Sequence, residues 1–212
     1  YATPQDAQFL LGKTFTGDGQ TEFLDTGKKL YSGSQDYTIF TRFATRCDSS
    51  EKVLFSCFSE AGPYRGLLVR LAEDNQLDVV VGGNYYTKLA LPEKDWVTLA
   101  ITKQGDQYTF YLEGAQVGTA QSSCENYSGT LLLGCERMAN NTLGRLSAVE
   151  IDRFELYDNA KSPAEGLSWT EENRVNPSRE QILESWKASY AGIEAYTLDA
   201  PFRGDGEICV DT

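Results

Sequence analysis

The chain has 212 residues, of which 41% are hydrophobic and 24% charged, with a formal net charge of −12 and no histidine. So acidic a surface repels phosphate backbones and anionic lipid, which makes nucleic acid and membranes poor partners. Without histidine, Ser-His-Asp, Cys-His and HExxH chemistry is excluded, and any catalysis falls to carboxylates.

From about Thr14 to Asp158 the signal is β throughout. Short runs rich in Tyr, Phe, Val, Ile and Thr alternate with clusters of Gly, Asn, Asp and Ser. Strands are predicted near Thr21–Thr26, Asp36–Thr45, Lys52–Phe58, Gly66–Leu71, Gln76–Val81 and Tyr85–Leu91. They continue at Trp96–Thr102, Gln107–Leu112, Gln116–Ala120, Thr130–Gly134 and Ala148–Tyr157. Gly105-Asp106 and Glu113-Gly114 fit tight hairpin loops, where glycine supplies positive φ at no steric cost. About eleven strands at hairpin spacing, with no crossover helices, predict two antiparallel sheets packed face to face.

The tail reads differently. Asn176-Pro177-Ser178 followed by Arg179-Glu180-Gln181 has the Pro and the Ser-x-x-Gln spacing of a helix start. Ile182, Leu183, Trp186 and Tyr190 then share a face that should dock on the sandwich or on a neighbouring module, and Gly192 is the terminator. Phe202-Arg203-Gly204-Asp205-Gly206 … Asp211-Thr212 echoes Phe15-Thr16-Gly17-Asp18-Gly19 … Asp25-Thr26. This suggests either the first strand of a second repeat or a strand that completes a sheet edge. Arg203-Gly204-Asp205 is read as turn chemistry, like its counterpart Thr16-Gly17-Asp18. The expected organisation is a sandwich over 1–165, a helical connector over 166–201 and the terminal strand over 202–212.

Five cysteines, Cys47, Cys57, Cys124, Cys135 and Cys209, show neither CxxC nor metal-ligand spacing. An odd count argues against a fully bridged scaffold, and buried thiols acting as small hydrophobes are expected; an oxidising compartment would allow one or two bridges. No stretch approaches the roughly 18 apolar residues of a membrane span, and no leader pattern stands at the start.

Six segments in order resemble the laminin-G-like jelly rolls of the concanavalin A-like lectin/glucanase superfamily. They are Phe15-x-Gly17 … Phe23-Leu24-Asp25-Thr26-Gly27, Asp36-Tyr37-Thr38-Ile39-Phe40, Asp95-Trp96-Val97-Thr98-Leu99-Ala100, Thr109-Phe110-Tyr111-Leu112-Glu113-Gly114, Leu131-Leu132-Leu133-Gly134 and Ile151-Asp152-Arg153-Phe154-Glu155-Leu156-Tyr157. The resemblance covers about Phe15 to Glu165. It implies an all-β jelly-roll sandwich, with Trp96 as the family's interior tryptophan. Leu54-Phe55-Ser56-Cys57 … Gly62-Pro63-Tyr64-Arg65-Gly66-Leu67 looks like the subset found in phage and prophage tail proteins. This sandwich hosts glycan binding, protein binding, glucan cleavage and plain spacing, so function must come from a site.

Three loop groups are candidates for holding a glycan, because sugar faces need aromatic rings and hydroxyls need amides, acids or guanidinium groups. They are Tyr64 with Arg65, Asn84 with Tyr85 and Tyr86, and Arg137 with Asn140 and Asn141; the alternative is that these residues only cover the rim. Glu150-Ile151-Asp152-Arg153-Phe154-Glu155 has the E-x-D-x-x-E form of family 16 glycoside hydrolases. That likeness would make Glu150 the nucleophile, Glu155 the acid/base and Asp152 the tuning carboxylate. On a regular strand Glu155 points away from Glu150 and Asp152, and only a bulge would bring it round. Since the motif closes the domain here, it reads better as a structural strand. No cofactor is expected beyond calcium, which some relatives bind; its weak candidate ligands are Asp18, Asp25, Asp152 and carbonyls near Asn84.

These observations lead to a non-catalytic recognition or adhesion module of a multi-domain phage-tail or bacterial surface protein. It would contact a glycan or cell-surface receptor, with neighbouring repeats as further partners, and sit outside the cell or on a virion. The alternatives are a structural module of a repeat array and a glycosidase.

Overall fold

The computed structural model describes residues 7–30, 36–46, 51–60, 65–82, 85–122 and 129–161. The chain divides into two compact units, Tyr1–Ser168 and Trp169–Thr212. All described residues belong to the first. The predicted helix after Asn176, the connector 166–201, the segment 202–212, Cys47, Cys124 and Cys209 lie outside the described residues.

Fifteen strands form among the described residues. They are β1 (Ala7–Leu10), β2 (Phe15–Thr16), β3 (Leu24–Asp25), β4 (Tyr37–Ala44), β5 (Lys52–Ser59), β6 (Arg65–Ala72), β7 (Gln76–Val81) and β8 (Tyr85–Ala90). Then come β9 (Trp96–Gln104), β10 (Gln107–Leu112), β11 (Ala115–Gln121), β12 (Leu132–Leu133), β13 (Glu136–Arg137), β14 (Leu143–Gly144) and β15 (Glu150–Tyr157). One sheet runs β1-β15-β4-β9-β10-β11, with β2 also paired to β15. The other runs β14-β13-β5-β6-β7-β8, with β12 joining β3 to β5. Every pairing is antiparallel except the bridge between Arg137 and Ser59. The expected all-β sandwich is present.

Alternation decides what lies between the sheets. Tyr37, Ile39 and Phe43 of β4 face inward with Val97, Leu99 and Ile101 of β9 and Tyr108, Phe110 and Leu112 of β10. They meet Phe55, Cys57, Leu67, Val69, Leu77 and Val79 from the other sheet. Phe154 is fully buried where the layers touch, edge-on to Phe55 at 5.1 Å and to Phe9 at 6.3 Å. Burying one such ring contributes about 1.5–3 kcal/mol. Strand β5 is buried along its whole length. There Ser56 Oγ donates to the Cys135 carbonyl, and Val53 N–H donates to Ser147 Oγ. Cys57 and Cys135 are buried as thiols, as expected.

Trp96 departs from its expected place. Its neighbour Val97 faces the core, and Trp96 stands on the outer face opposite Ala44, half-buried beneath the Arg42 guanidinium at 5.2 Å. The tight turns hold: Glu113 (φ 50) and Gly114 (φ 80) both take positive φ, the pattern of a two-residue hairpin loop.

Candidate functional site

Strand register gathers the nominated loops. β5 ends at Ser59, opposite Arg65 at the start of β6; β7 ends at Val81, opposite Tyr85 at the start of β8. Because β6 joins these pairs with Leu67 opposite Val81, both connections lie at one end of the sheet. Arg137 pairs with Ser59, so the β13–β14 turn reaches the same end. Arg65, Tyr85, Tyr86, Arg137, Asn140 and Asn141 are thus carried to one rim from positions scattered along the sequence. Tyr64 and Asn84 lie outside the described residues.

The β13–β14 turn is built by its own polar atoms. Asn140 Oδ1 accepts from the Thr142 N–H at 3.1 Å and from its hydroxyl at 2.6 Å, and Asn141 takes φ 63. The Asn140 oxygen is therefore committed to the turn, whereas Asn141 is exposed and Arg137 half-buried. Beneath the turn, Glu136 is fully buried with Arg145 Nη1 at 2.7 Å, and Arg145 also reaches Glu60 at 3.2 Å. Burial pushes the Glu136 carboxyl above its ordinary range, against the pull of Arg145. Gly66 closes the base of the rim at φ 102, where a Cβ would stand 1.9 Å from the Cys57 carbonyl oxygen. Gly82 N–H donates to the Gly66 carbonyl at 2.9 Å.

A pocket of about 270 Å³ opens at the same end, lined by Gln8, Lys28, Lys29, Tyr37, Leu156 and Asp158 among others. The loop after β3 reaches it because Leu132 pairs with both Asp25 and Ser56, and Leu131 N–H donates to the Lys28 carbonyl at 2.7 Å. Sequence reasoning passed over these residues. The available signal was a Lys-Lys pair following Asp25-Thr26-Gly27 in an otherwise acidic chain.

The carboxylates of β15 have another fate. A bulge between Ile151 and Arg153 lets Ile151 and Phe154 both face the core. Asp152 and Arg153 consequently both turn outward, and Glu150, Asp152 and Glu155 share the outer face, unlike the arrangement expected of a regular strand. Glu155, however, is buried with both oxygens engaged. Oε1 accepts from Arg153 at 2.9 and 3.0 Å, and Oε2 from the Tyr157 hydroxyl at 2.6 Å. Asp152 accepts from Arg42 Nη1 at 2.7 Å.

The candidate calcium ligands are not brought together. Asp18 accepts three backbone N–H groups and the Thr21 hydroxyl within its own turn. Asp25 accepts from Gly27 N–H and Thr130 Oγ1, while Asp152 belongs to Arg42. Among the described residues no group of three His, Cys, Asp or Glu side chains is placed to hold a metal.

Comparison with known proteins bears on the fold. The NanB sialidase from Streptococcus pneumoniae (K499G mutant) is similar at TM-score 0.60 and 18% identity, over 78% of this chain and 28% of that one. A CBM40 of the Ruminococcus gnavus IT-sialidase, bound to α2,3-sialyllactose, is similar at 0.53 and 14%, over 72% of this chain and 95% of that one. The heptameric SAP-like pentraxin of Limulus polyphemus is similar at 0.55 and 13%, over 72% and 78%. This chain thus spans less than a third of the sialidase. No curated protein sequence matches it. The family model described as the concanavalin A-like lectin/glucanases superfamily matches residues 16–165, and the chain belongs to that superfamily.

Proposed function

We propose that this domain is a non-catalytic glycan-recognition module whose ligand lies across the end of the sandwich where β5, β7 and β13 run out. The carrying observation is that strand register brings the backbone positions of Arg65, Tyr85, Tyr86, Arg137 and Asn141 to the end that also carries a lined pocket. Rings, guanidinium groups and amides are what sugar faces and hydroxyls require. The superfamily fold, and the sialyllactose held by a structural neighbour, favour a carbohydrate over a protein ligand. The engaged state of Asp152 and Glu155 supports a structural role for the β15 acids, since a general acid must be available to the leaving oxygen. We place the domain in a phage-tail or bacterial surface protein, working outside the cell or on a virion; the tail-protein likeness of Leu54–Leu67 is the support for this.

A glycan array probed with the intact chain tests the reading. Retention of defined glycans is expected, with at least about tenfold weaker binding by an Arg137→Ala, Asn141→Ala variant, equivalent to roughly 1.4 kcal/mol. An array without a single retained glycan would sink it and favour a structural module. Turnover of β-glucan that disappears in Glu150→Gln would restore the hydrolase.

A further inference from the structure

The pocket between the loop after β3 and the β1–β15 pair carries its own chemical signature. We propose that it is an acid-selective subsite that takes the carboxylate-bearing sugar unit of a glycan, with Lys28 and Lys29 receiving the carboxylate. This rests on the glycan-binding reading above and names the ligand class for one part of that end.

Charge is the first argument. The chain carries a net −12, yet two adjacent exposed lysines stand at the mouth, and among the described residues Asp158 is the one carboxylate lining the pocket. No carboxylate among the described residues pairs with either ammonium. A cationic mouth on an acidic molecule concentrates anions locally and repels them elsewhere.

Shape is the second. At about 270 Å³ the pocket is small beside the roughly 300–1,000 Å³ of most ligand sites, suiting one sugar ring rather than a chain. Leu30, Tyr37 and Leu156 are buried and supply an apolar floor for the C–H face of a pyranose. At the rim Gln8 Nε2 donates to Asp158 Oδ2 at 3.2 Å, which orients both side chains and leaves acceptor oxygens for hydroxyls.

Rigidity is the third. The lysine loop is pinned before any ligand arrives. Asp25 Oδ1 accepts from Gly27 N–H, and Oδ2 from the Thr130 hydroxyl. Thr26 Oγ1 accepts from Lys28 N–H and donates to the Leu131 carbonyl. A preordered loop spares the entropy of ordering it on binding.

Titration of the intact chain with matched sugars tests the assignment. The probes are a glucuronate-terminated disaccharide against its glucose-terminated counterpart, and sialyllactose against lactose. The acidic member of a pair should bind at least about tenfold more tightly, an advantage that shrinks between about 50 and 500 mM salt because exposed charges are screened. Lys28→Ala/Lys29→Ala should abolish the advantage at unchanged Tm, whereas Lys13→Ala should keep it. Equal affinity within both pairs, or a preference that survives the double substitution, would overturn the subsite while any array-positive glycan keeps the broader reading. Loss of binding to every sugar, acidic and neutral, would overturn both.

Discussion

The two ends of the sandwich use the same device for opposite purposes. At the far end, where β15 begins beside β2, Asp18 caps a turn and spends both carboxylate oxygens on it. At the near end Asp25 likewise accepts from its own turn, but the loop it fixes goes on to present Lys28 and Lys29 to a pocket. A polar side chain satisfied by its own backbone has little left for a ligand. One that fixes a loop can instead place its neighbours. The proposed recognition site lies at the end where the side chains following the turn remain uncommitted.

The largest expected effect falls on the backbone of the near end. Gly66→Ala must hold φ 102 against the Cys57 carbonyl and should cost about 2–4 kcal/mol, read as a shift in urea midpoint. A midpoint within error of the native one would show that this rim tolerates rearrangement. Next comes the pair of turns. Asp25→Ala should lower both Tm and the affinity for acidic sugars, whereas Asp18→Ala should lower Tm alone. Hydrogen bonds from the Thr21 hydroxyl and the N–H groups of Glu22, Thr21 and Gln20 hold the Asp18 carboxyl well below its ordinary range. A carboxyl depressed on folding stabilises the protein above its unfolded pKa of about 3.9 and loses that contribution as pH falls toward the folded value. The Tm gap between the native chain and Asp18→Ala should accordingly narrow below about pH 4; a gap constant down to pH of about 2 would refute the linkage. The smallest effect concerns the interior between the ends. Burial pushes the Cys135 thiol up to about 11, so it should resist alkylation at neutral pH in the folded protein. Labelling at the rate of an unfolded control would show the interior to be open.

The β-run from Thr14 to Asp158 was legible because alternation and turn residues are local properties. Strand β1 was not, since its bulge between Ala7 and Phe9 breaks the alternation that marks a strand. β13 and β14 are two residues each and escape for the same lack of pattern. Trp96 was assigned correctly to a strand, but its interior place came from the family resemblance, and here Val97 takes the inward position while Trp96 lies outside against Arg42. The three loop groups were readable singly. Their meeting at one rim depends on register between strands far apart in sequence, and Lys28 and Lys29 look like ordinary solvated charges until the fold sets them above Tyr37 and Leu156.

Ala7 at the start of β1 stands opposite Tyr157 at the end of β15. The start of the first strand and the end of the last thus lie side by side on a paired antiparallel ladder, and beyond Tyr157 the chain is still held by Thr38 and Thr102 as far as Lys161. Tension between those two strand ends would peel their hydrogen bonds apart one at a time, like a zipper, instead of loading the whole ladder in shear. A strand pair loaded this way yields at low force, and it yields beside the mouth proposed to receive the sugar.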